Sequence, residues 1–263
     1  MAALRLDRAL VARALVETRT KAQRRIHAGD VSVNDVVATS VSQPVGDTDE
    51  LSLSGGEDYV GRGAYKLLAA IKQWPQDLNG ALVMDLGAST GGFTQVALDA
   101  GATRVVAVDV GHDQLHVSLV EDPRVESFEG INARTMTRQW WLEHGRDTPR
   151  LVVADLSFVS LTQVLGPVHE SVGATDWIVL VKPQFEVGRT KVSKGFVLDP
   201  GEHEVAINAV IAAAQDLGLH PRGVMPSPIS GEGGNQEFLC WLSPTPQENP
   251  TQWSKQVHLL THP

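Results

Sequence analysis

Two lysines and two acidic residues stand near the ends of predicted strands or of a predicted helix, at positions where their side chains could meet. Asp155 and Lys182 each follow directly on an apolar strand. Glu237 immediately precedes another strand, and Lys66 lies near the start of a predicted helix. A single charge at a strand end is usually solvated, but two pairs of opposite charge at one sheet edge predict a shared site. Such a cluster can hold a lysine as a general base, because burial and a second ammonium nearby both favour a neutral amine.

A glycine-rich turn supplies a second candidate site. The segment DLGASTGGFT, residues 85–94, follows the first strand of a predicted α/β sheet. Its glycines permit a sharp turn and a close approach of the backbone to a ligand, which in such sheets binds at the carboxyl ends of the strands. Asp109 ends the next strand. A carboxylate at that position can accept hydrogen bonds from both hydroxyls of a ribose.

Three interpretations of this turn compete. A dinucleotide site requires G-x-G-x-x-G, but Ser89 occupies the position of the middle glycine. A hydrolase nucleophile elbow requires G-x-S-x-G, which residues 87–91 match literally, although the later histidines stand in no distinctive context. The pairing of the turn with the acid-ended strand VVAVDVG favours the third interpretation, an S-adenosylmethionine site. Its predicted contacts are Asp85, Gly87, Ser89, Gly91, Gly92, Phe93, Asp109, Val110, Asn132 and Asp155.

The pattern of elements that must position these residues changes near residue 56. The preceding segment predicts helices over residues 6–16 and 18–27, a hairpin over 31–37 and a strand over 51–53. The following segment alternates strands with helices, which predicts a doubly wound α/β sheet. The predicted division is a small α+β domain over residues 1–56, a linker over 57–60, the sheet domain over 61–245 and a tail over 246–263 with one short helix.

Charge is unevenly distributed along the chain. The net charge is −9, yet the first 35 residues hold seven basic and four acidic side chains. Because phosphate binding depends on where the basic residues lie, the basic N-terminus predicts local contact with nucleic acid. The one cysteine, Cys240, lies in an apolar run and is predicted to be a buried packing residue. No secretory pattern and no apolar stretch of about 18 residues is present, so the expected location is the cytoplasm.

Several segments together resemble the TlyA (hemolysin A) family of rRNA methyltransferases. They are VGRGAYK ending at Lys66, the glycine-rich turn, ADLSF around Asp155, VKPQFE around Lys182 and NQEF around Glu237. The basic N-terminal segment from Arg5 resembles the S4 RNA-binding domain of the same family. The chain departs from the family pattern in two places. Asp35 stands where S4 hairpins commonly carry glycine, and residues 57–60 are acidic where some members have an arginine.

The resemblance implies an FtsJ-like, Rossmann-like S-adenosylmethionine-dependent fold that methylates the 2′-hydroxyl of cytidine in ribosomal RNA. It places a Lys-Asp-Lys-Glu tetrad on Lys66, Asp155, Lys182 and Glu237. Lys182 is expected to act as the base or to position the hydroxyl, with Lys66 orienting the ribose and the two acids holding the lysines. The length resembles that of the longer members, which act on both 16S and 23S rRNA, whereas shorter members act on 23S rRNA only.

The predicted RNA contacts form two groups of basic residues. They are Arg5, Arg8, Arg19, Lys21, Arg24 and Arg25 in the S4-like part, and Arg62, Arg189, Lys191 and Lys194 near the catalytic edge. The expected partner is ribosomal RNA or a ribosomal subunit, with no DNA, no membrane and no metal, and the oligomeric state is left open. A non-catalytic RNA-binding assembly factor and a membrane-active haemolysin remain as alternative functions.

Overall fold

The computed structural model describes residues 4–16, 18–27, 30–34, 36–53, 59–193, 195–231, 234–246 and 252–262. Within the chain, Met1–Asp58 and Tyr59–Pro263 form two compact units. Several residues of the sequence analysis lie outside the described part: Asp35, Lys194, residues 57 and 58, and the side chains of Arg24 and Arg189.

The first unit combines two short helices with two small antiparallel sheets. Its elements are β1 (Leu4–Arg5), α1 (Leu6–Ala12), α2 (Arg19–His27), β2 (Val31–Val33), β3 (Val36–Val37), β4 (Pro44–Val45) and β5 (Leu51–Leu53). Strands β3, β2 and β5 form one sheet in that order, and β1 pairs with β4. The Thr18 hydroxyl accepts a hydrogen bond from the Lys21 amide at 3.2 Å, which caps α2. Asn34 turns the predicted hairpin with φ of 51°.

Helix α1 ends at Ala12, earlier than the predicted end at residue 16. The chain turns at Ala14, whose φ is 55°. The Arg13 guanidinium donates hydrogen bonds to the carbonyls of Asp49 at 2.5 Å and Gly46 at 2.7 Å. These long-range bonds stabilise the turn, and periodicity within the helix could not predict them.

A buried carboxylate joins the two helices of this unit. The Asp7 side chain is fully buried and accepts hydrogen bonds from Arg19 at 2.7 Å, Gln23 at 2.9 Å and Arg5 at 3.2 Å. Burial alone would raise the pKa of Asp7, but the hydrogen bonds from Gln23, Arg5 and Arg19 outweigh it and hold the pKa well below its usual range. Arg5 and Arg19 therefore have a structural role in this unit.

The second unit is a seven-stranded sheet with helices on both faces. Its strands are β6 (Leu82–Leu86), β7 (Arg104–Val108), β8 (Val125–Phe128), β9 (Leu151–Ala154), β10 (Asp176–Val181), β11 (His220–Pro226) and β12 (Phe238–Ser243). Its helices are α3 (Ala64–Gln73), α4 (Gly92–Asp99), α5 (Val117–Val120), α6 (Arg138–His144), α7 (Leu165–Val172), α8 (Pro183–Glu186), α9 (Pro200–Asp216) and α10 (Gln252–Thr261).

The strand order is β11-β12-β10-β9-β6-β7-β8. Strands β10, β9, β6, β7 and β8 run parallel, whereas β12 is antiparallel to both of its neighbours. One buried cluster packs α6, α7, α9 and α10 on one face, and a second packs α3, α4 and α5 on the other. The predicted doubly wound α/β sheet is thus confirmed, with a mixed rather than wholly parallel order.

Two helices near the C-terminus differ in how well the sequence indicated them. Helix α9 starts at Pro200, before the predicted residue 205, because the Asp199 side chain caps the Gly201 amide and proline suits the first turn. The predicted C-terminal helix is present as α10, which packs on α9.

Cys240 is buried as predicted, and this burial raises the pKa of its thiol to about 12. In the described ranges no helix has the length and apolarity to cross a membrane.

Candidate active site

Strand order brings the four predicted charged residues to one edge of the sheet. Strands β9 and β10 are parallel neighbours, so Asp155 and Lys182, which follow them, emerge side by side. Strand β12 runs antiparallel to β10, and Val181 pairs with Phe238. The residue before β12, Glu237, therefore lies at the same edge as the residue after β10.

The four side chains form a line of alternating charge. Lys66 Nζ lies 2.7 Å from Glu237 Oε2 and 3.7 Å from Asp155 Oδ2. Lys182 Nζ lies 2.7 Å from Asp155 Oδ1. Three of the side chains are at most 10% exposed, and that of Asp155 is 19% exposed. Two positive and two negative charges compensate one another there, which makes burial of the cluster tolerable. The sequence-based prediction that these residues meet agrees with this geometry.

One further side chain contacts this tetrad. The Ser157 hydroxyl accepts a hydrogen bond from Lys182 Nζ at 2.9 Å. Sequence reasoning missed Ser157, although it follows Asp155 by two positions in the same loop. The neighbouring Phe158 has φ of 63° and is 89% exposed, with its ring centroid 5.3 Å from that of Phe185.

Beside the tetrad lies a cavity of about 480 Å³ at the carboxyl ends of the strands. Six of the predicted cofactor residues line it: Gly87, Ser89, Asp109, Val110, Asn132 and Asp155. Gln114, Ile131, Arg134, Ser157, Val159 and Val164 are among the lining residues that the sequence did not indicate. A smaller cavity of about 180 Å³ continues past the predicted Gly92 and Phe93 to Lys182.

Asp109 gives this cavity a fixed acidic wall. One carboxylate oxygen accepts the Ser89 amide at 2.8 Å, and the other accepts the Gly111 amide at 2.7 Å. Each carboxylate oxygen can accept a second hydrogen bond, so the group fits the adjacent hydroxyls of a ribose. Apolar side chains such as Ile131 and Val164 complete a pocket that suits a planar base. These residues fit an adenosine-containing cofactor.

Two predicted cofactor residues do not reach the cavity wall. Asp85 is fully buried, and one of its oxygens accepts the Thr94 hydroxyl at 2.7 Å beneath α4. Its other oxygen, Oδ1, has no hydrogen-bond partner within the described ranges. Burial raises the pKa of Asp85 to about 7. Gly91 has φ of 96°, and a Cβ there would collide with the Leu119 side chain. Its role is to permit the turn and the packing behind it.

A third cavity, of about 320 Å³, opens on the other side of the tetrad. Lys66, Asp155, Lys182 and Glu237 all line it, together with Arg62, Ser157, Phe158 and Phe185. The tetrad thus lies between a cofactor-sized cavity and a second opening that an acceptor molecule could enter. The geometry speaks against the hydrolase interpretation: the Ser89 hydroxyl donates to Gln114 at 3.2 Å, and among the described residues no histidine lines these cavities.

The predicted RNA-binding residues fall into different environments. Arg8 and Arg62 are exposed. The Arg25 side chain is only 10% exposed and lies 3.6 Å from Asp30. Lys191 Nζ lies 2.6 Å from Glu202, with its side chain 57% exposed. Burial therefore removes Arg25 from the surface that could contact a phosphate.

Comparison with known proteins accounts for both units. The FtsJ-like methyltransferase family matches residues 59–243, and the S4 domain matches residues 4–51. A 16S/23S rRNA (cytidine-2′-O)-methyltransferase TlyA from Mycobacterium tuberculosis is 43% identical over 90% of this chain and 89% of that protein. The chain belongs to the TlyA family of FtsJ-like methyltransferases.

Two other similar proteins match this chain over nearly their whole length. Hemolysin A of Brachyspira hyodysenteriae is 37% identical over 90% of this chain and 98% of that protein. A solved structure of a candidate hemolysin from Streptococcus thermophilus has a TM-score of 0.72 and 36% identity, covering 100% of this chain and 96% of that one. As a TlyA-type methyltransferase the chain uses S-adenosylmethionine, which agrees with the fit of the Asp109 cavity.

Proposed function

We propose that the chain transfers a methyl group from S-adenosylmethionine to the 2′-hydroxyl of cytidine in ribosomal RNA. The observation that carries the proposal is the tetrad, in which Lys182 lines both the small cavity next to the cofactor cavity and the acceptor cavity. The TlyA relative from Mycobacterium tuberculosis is named for 16S and 23S rRNA, and a Campylobacter jejuni relative, 32% identical, is named for 23S rRNA alone. The higher identity and wider coverage of the former support action on both rRNAs.

Bound S-adenosylmethionine supplies an electrophilic methyl group on a sulfonium. Asp109 is proposed to hold its ribose and Asn132 to contact its adenine. Gly87, Ser89 and Val110 complete the wall of the same cavity. The protein aligns the acceptor with the methyl group, and such positioning alone can lower the barrier by several kcal/mol.

The tetrad is proposed to position the acceptor hydroxyl and to remove its proton. Lys182 is the base or the hydroxyl-positioning group, and Lys66 orients the ribose from the other side of Asp155. Asp155 contacts both lysines, and Glu237 holds Lys66 through the 2.7 Å hydrogen bond. A 2′-hydroxyl is a weak nucleophile, so removal of its proton during attack increases the rate.

Substitution of Lys182 by alanine tests this assignment. We expect the Lys182→Ala variant to lose at least about 1,000-fold in methyl transfer, measured with labelled S-adenosylmethionine on 16S and 23S rRNA. Its cofactor affinity, measured by isothermal titration calorimetry, should change less than about threefold, because Lys182 does not line the cavity that contains Asp109. Lys72→Ala, an exposed lysine on α3, serves as the matched control with full activity. Near-normal turnover by Lys182→Ala would show the catalytic assignment to be wrong.

The target and the alternative function are tested by two further measurements. Mapping of 2′-O-methylated positions in rRNA from a deletion strain and its parent identifies the nucleotide. A purified chain that binds rRNA but shows no heat of S-adenosylmethionine binding would instead be a non-catalytic assembly factor.

The first unit is proposed to bind structured rRNA in the cytoplasm, through exposed basic residues such as Arg8. Lys21, Arg24, Arg62, Arg189 and Lys191 remain proposed contacts, while Arg5 and Arg19 also hold Asp7. The proposed division is an RNA-binding part over residues 1–56, a linker over 57–60, a catalytic part over 61–245 and a tail over 246–263.

A further inference from the structure

The contacts of Lys182 Nζ are of two different kinds. Its 2.7 Å contact with Asp155 Oδ1 is an ion pair without hydrogen-bond geometry, whereas its 2.9 Å contact with Ser157 Oγ is a hydrogen bond. An ion pair attracts a charge but does not fix the directions of the bonds at the nitrogen. A hydrogen bond does, because it weakens steeply when the donor turns away. In the described part of the chain, Ser157 is the residue that fixes this direction.

Fixing one direction at Nζ restricts the others. The nitrogen is tetrahedral in both protonation states, with three N–H bonds as an ammonium, or two and a lone pair as an amine. Once Ser157 accepts one N–H, rotation about the last carbon–nitrogen bond is hindered, because it would break that hydrogen bond. The other N–H bonds of Nζ, or its lone pair, then point in preferred directions within the cavity that the tetrad lines.

The backbone next to Ser157 is in a strained conformation, which costs conformational free energy. Phe158 has φ of 63°, a conformation that non-glycine residues rarely adopt. Its side chain gains no burial in return, since it is 89% exposed. Strained backbone of this kind persists where the surrounding structure requires it, often at functional sites. Here it sets the course of the loop that carries Ser157.

Ser157 also occupies a junction between the cavities. It lines the cofactor cavity, the small connecting cavity and the acceptor cavity. Its oxygen accepts from Lys182, while its own O–H has no acceptor among the hydrogen bonds of the described residues. That O–H is therefore available to a group entering at the junction.

We infer that Ser157 is a positioning residue for methyl transfer, which orients Lys182 Nζ towards the acceptor hydroxyl. This inference rests on the proposed function. Ser157 neither takes up the proton nor forms a bond in the reaction, but it fixes the direction in which Lys182 can receive or donate a hydrogen bond.

The test compares Ser157→Ala with Ser157→Thr in single-turnover methylation of rRNA across a range of pH. Ser157→Ala should lower the maximal rate at least tenfold, with KM for the RNA and affinity for S-adenosylmethionine each within threefold of the original. It should also change the pH dependence of the rate. Ser157→Thr retains a hydroxyl on the same carbon and should recover most of the rate. Ser118→Ala, an exposed serine on α5, is the control that should behave as the original protein.

Two outcomes would overturn the inference. A full rate with Ser157→Ala shows that Lys182 needs no such hydrogen bond, and equal damage from alanine and threonine shows a purely steric role. Lys182→Ala measured in parallel separates the two claims. If it stays active, the proposed role of Lys182 fails, and the role of Ser157 fails with it; if it is inactive while Ser157→Ala is unimpaired, only the role of Ser157 fails.

Discussion

The two units each bury an aspartate, and the two carboxylates have opposite pKa shifts. Asp7 in the first unit receives hydrogen bonds from Arg5, Arg19 and Gln23, and its pKa lies well below the usual range. Asp85 in the second unit is equally buried, but its hydrogen bonds come from the uncharged side chain and backbone of Thr94, and burial raises its pKa to about 7. Burial alone therefore does not decide the charge of a carboxylate; the number and charge of its donors do.

The difference separates a structural network from a functional one. The donors around Asp7 satisfy it fully, so this network fixes α1 against α2. Around the cavities of the second unit, Asp155 Oδ1 pairs with the charge of Lys182 at 2.7 Å, whereas Asp85 Oδ1 lacks a hydrogen bond from the described residues. An unsatisfied polar atom is costly in a folded protein and needs an explanation. Asp85 Oδ1 lies beneath the turn that lines the proposed cofactor cavity.

Of these three aspartates, Asp155 should show the largest effect on methyl transfer, because its two oxygens contact both lysines of the tetrad. Asp155→Asn removes the charge but keeps the shape, so we expect at least about a 100-fold loss of methyl transfer. The variant should also be less stable, because the two buried lysines then share one carboxylate; tryptophan fluorescence can follow its unfolding because all tryptophans lie in the second unit. A variant that unfolds readily but keeps its rate while folded would make this network structural, like that of Asp7.

Asp7→Asn should lower the stability of the first unit and leave the rate of methyl transfer unchanged. We expect the first unit to lose about 2 kcal/mol at pH 7, an amount limited by the solvent exposure of Arg5 and Arg19. Because the folded pKa is lowered, the stabilisation is present above the unfolded pKa near 4 and is lost as the pH falls further. Hydrogen exchange of the α1 and α2 amides across this range measures it. Equal protection in both proteins at pH 7 would contradict the prediction.

Asp85→Asn should change stability in the opposite direction to Asp7→Asn. The raised pKa means that ionisation of Asp85 opposes folding, so its stabilising protonated form is lost as the pH rises from about 4 through about 7. At pH 8, without cofactor, the asparagine variant should be more stable, by about 2 kcal/mol. At pH 4 the two proteins should be nearly equal. Urea titrations followed by tryptophan fluorescence provide the comparison, and a destabilised variant at pH 8 would refute it.

The smallest effect is expected on the basic surface outside the Asp7 network. Arg8→Ala combined with Lys21→Ala should reduce the slope of log K against log salt by about 1.5 to 2, and weaken binding about equally for different RNA sequences. Filter binding of rRNA fragments at several salt concentrations measures the slope. An unchanged slope would leave the RNA contacts to other parts of the chain.

The sequence predicted those features that depend on strand ends. Asp155 and Lys182 follow apolar strands, and the family motif around Glu237 placed it beside them. Ser157 was missed because its role depends on the course of a loop in which Phe158 has an unusual φ. No residue pattern in the sequence predicts that φ. The role assigned to Asp85 did not hold, because a turn that faces a ligand with its backbone can direct a strand side chain beneath the following helix. Arg25 was misplaced because its burial against Asp30 depends on tertiary packing.

The antiparallel course of β12 has a consequence for synthesis of the chain. Lys66 and its partner Glu237 are 171 positions apart, and Glu237 is held by the last strand of the sheet. A nascent chain that has already produced the cofactor turn still lacks the carboxylate that pairs with Lys66. The site is therefore completed only when the end of the catalytic unit leaves the ribosome.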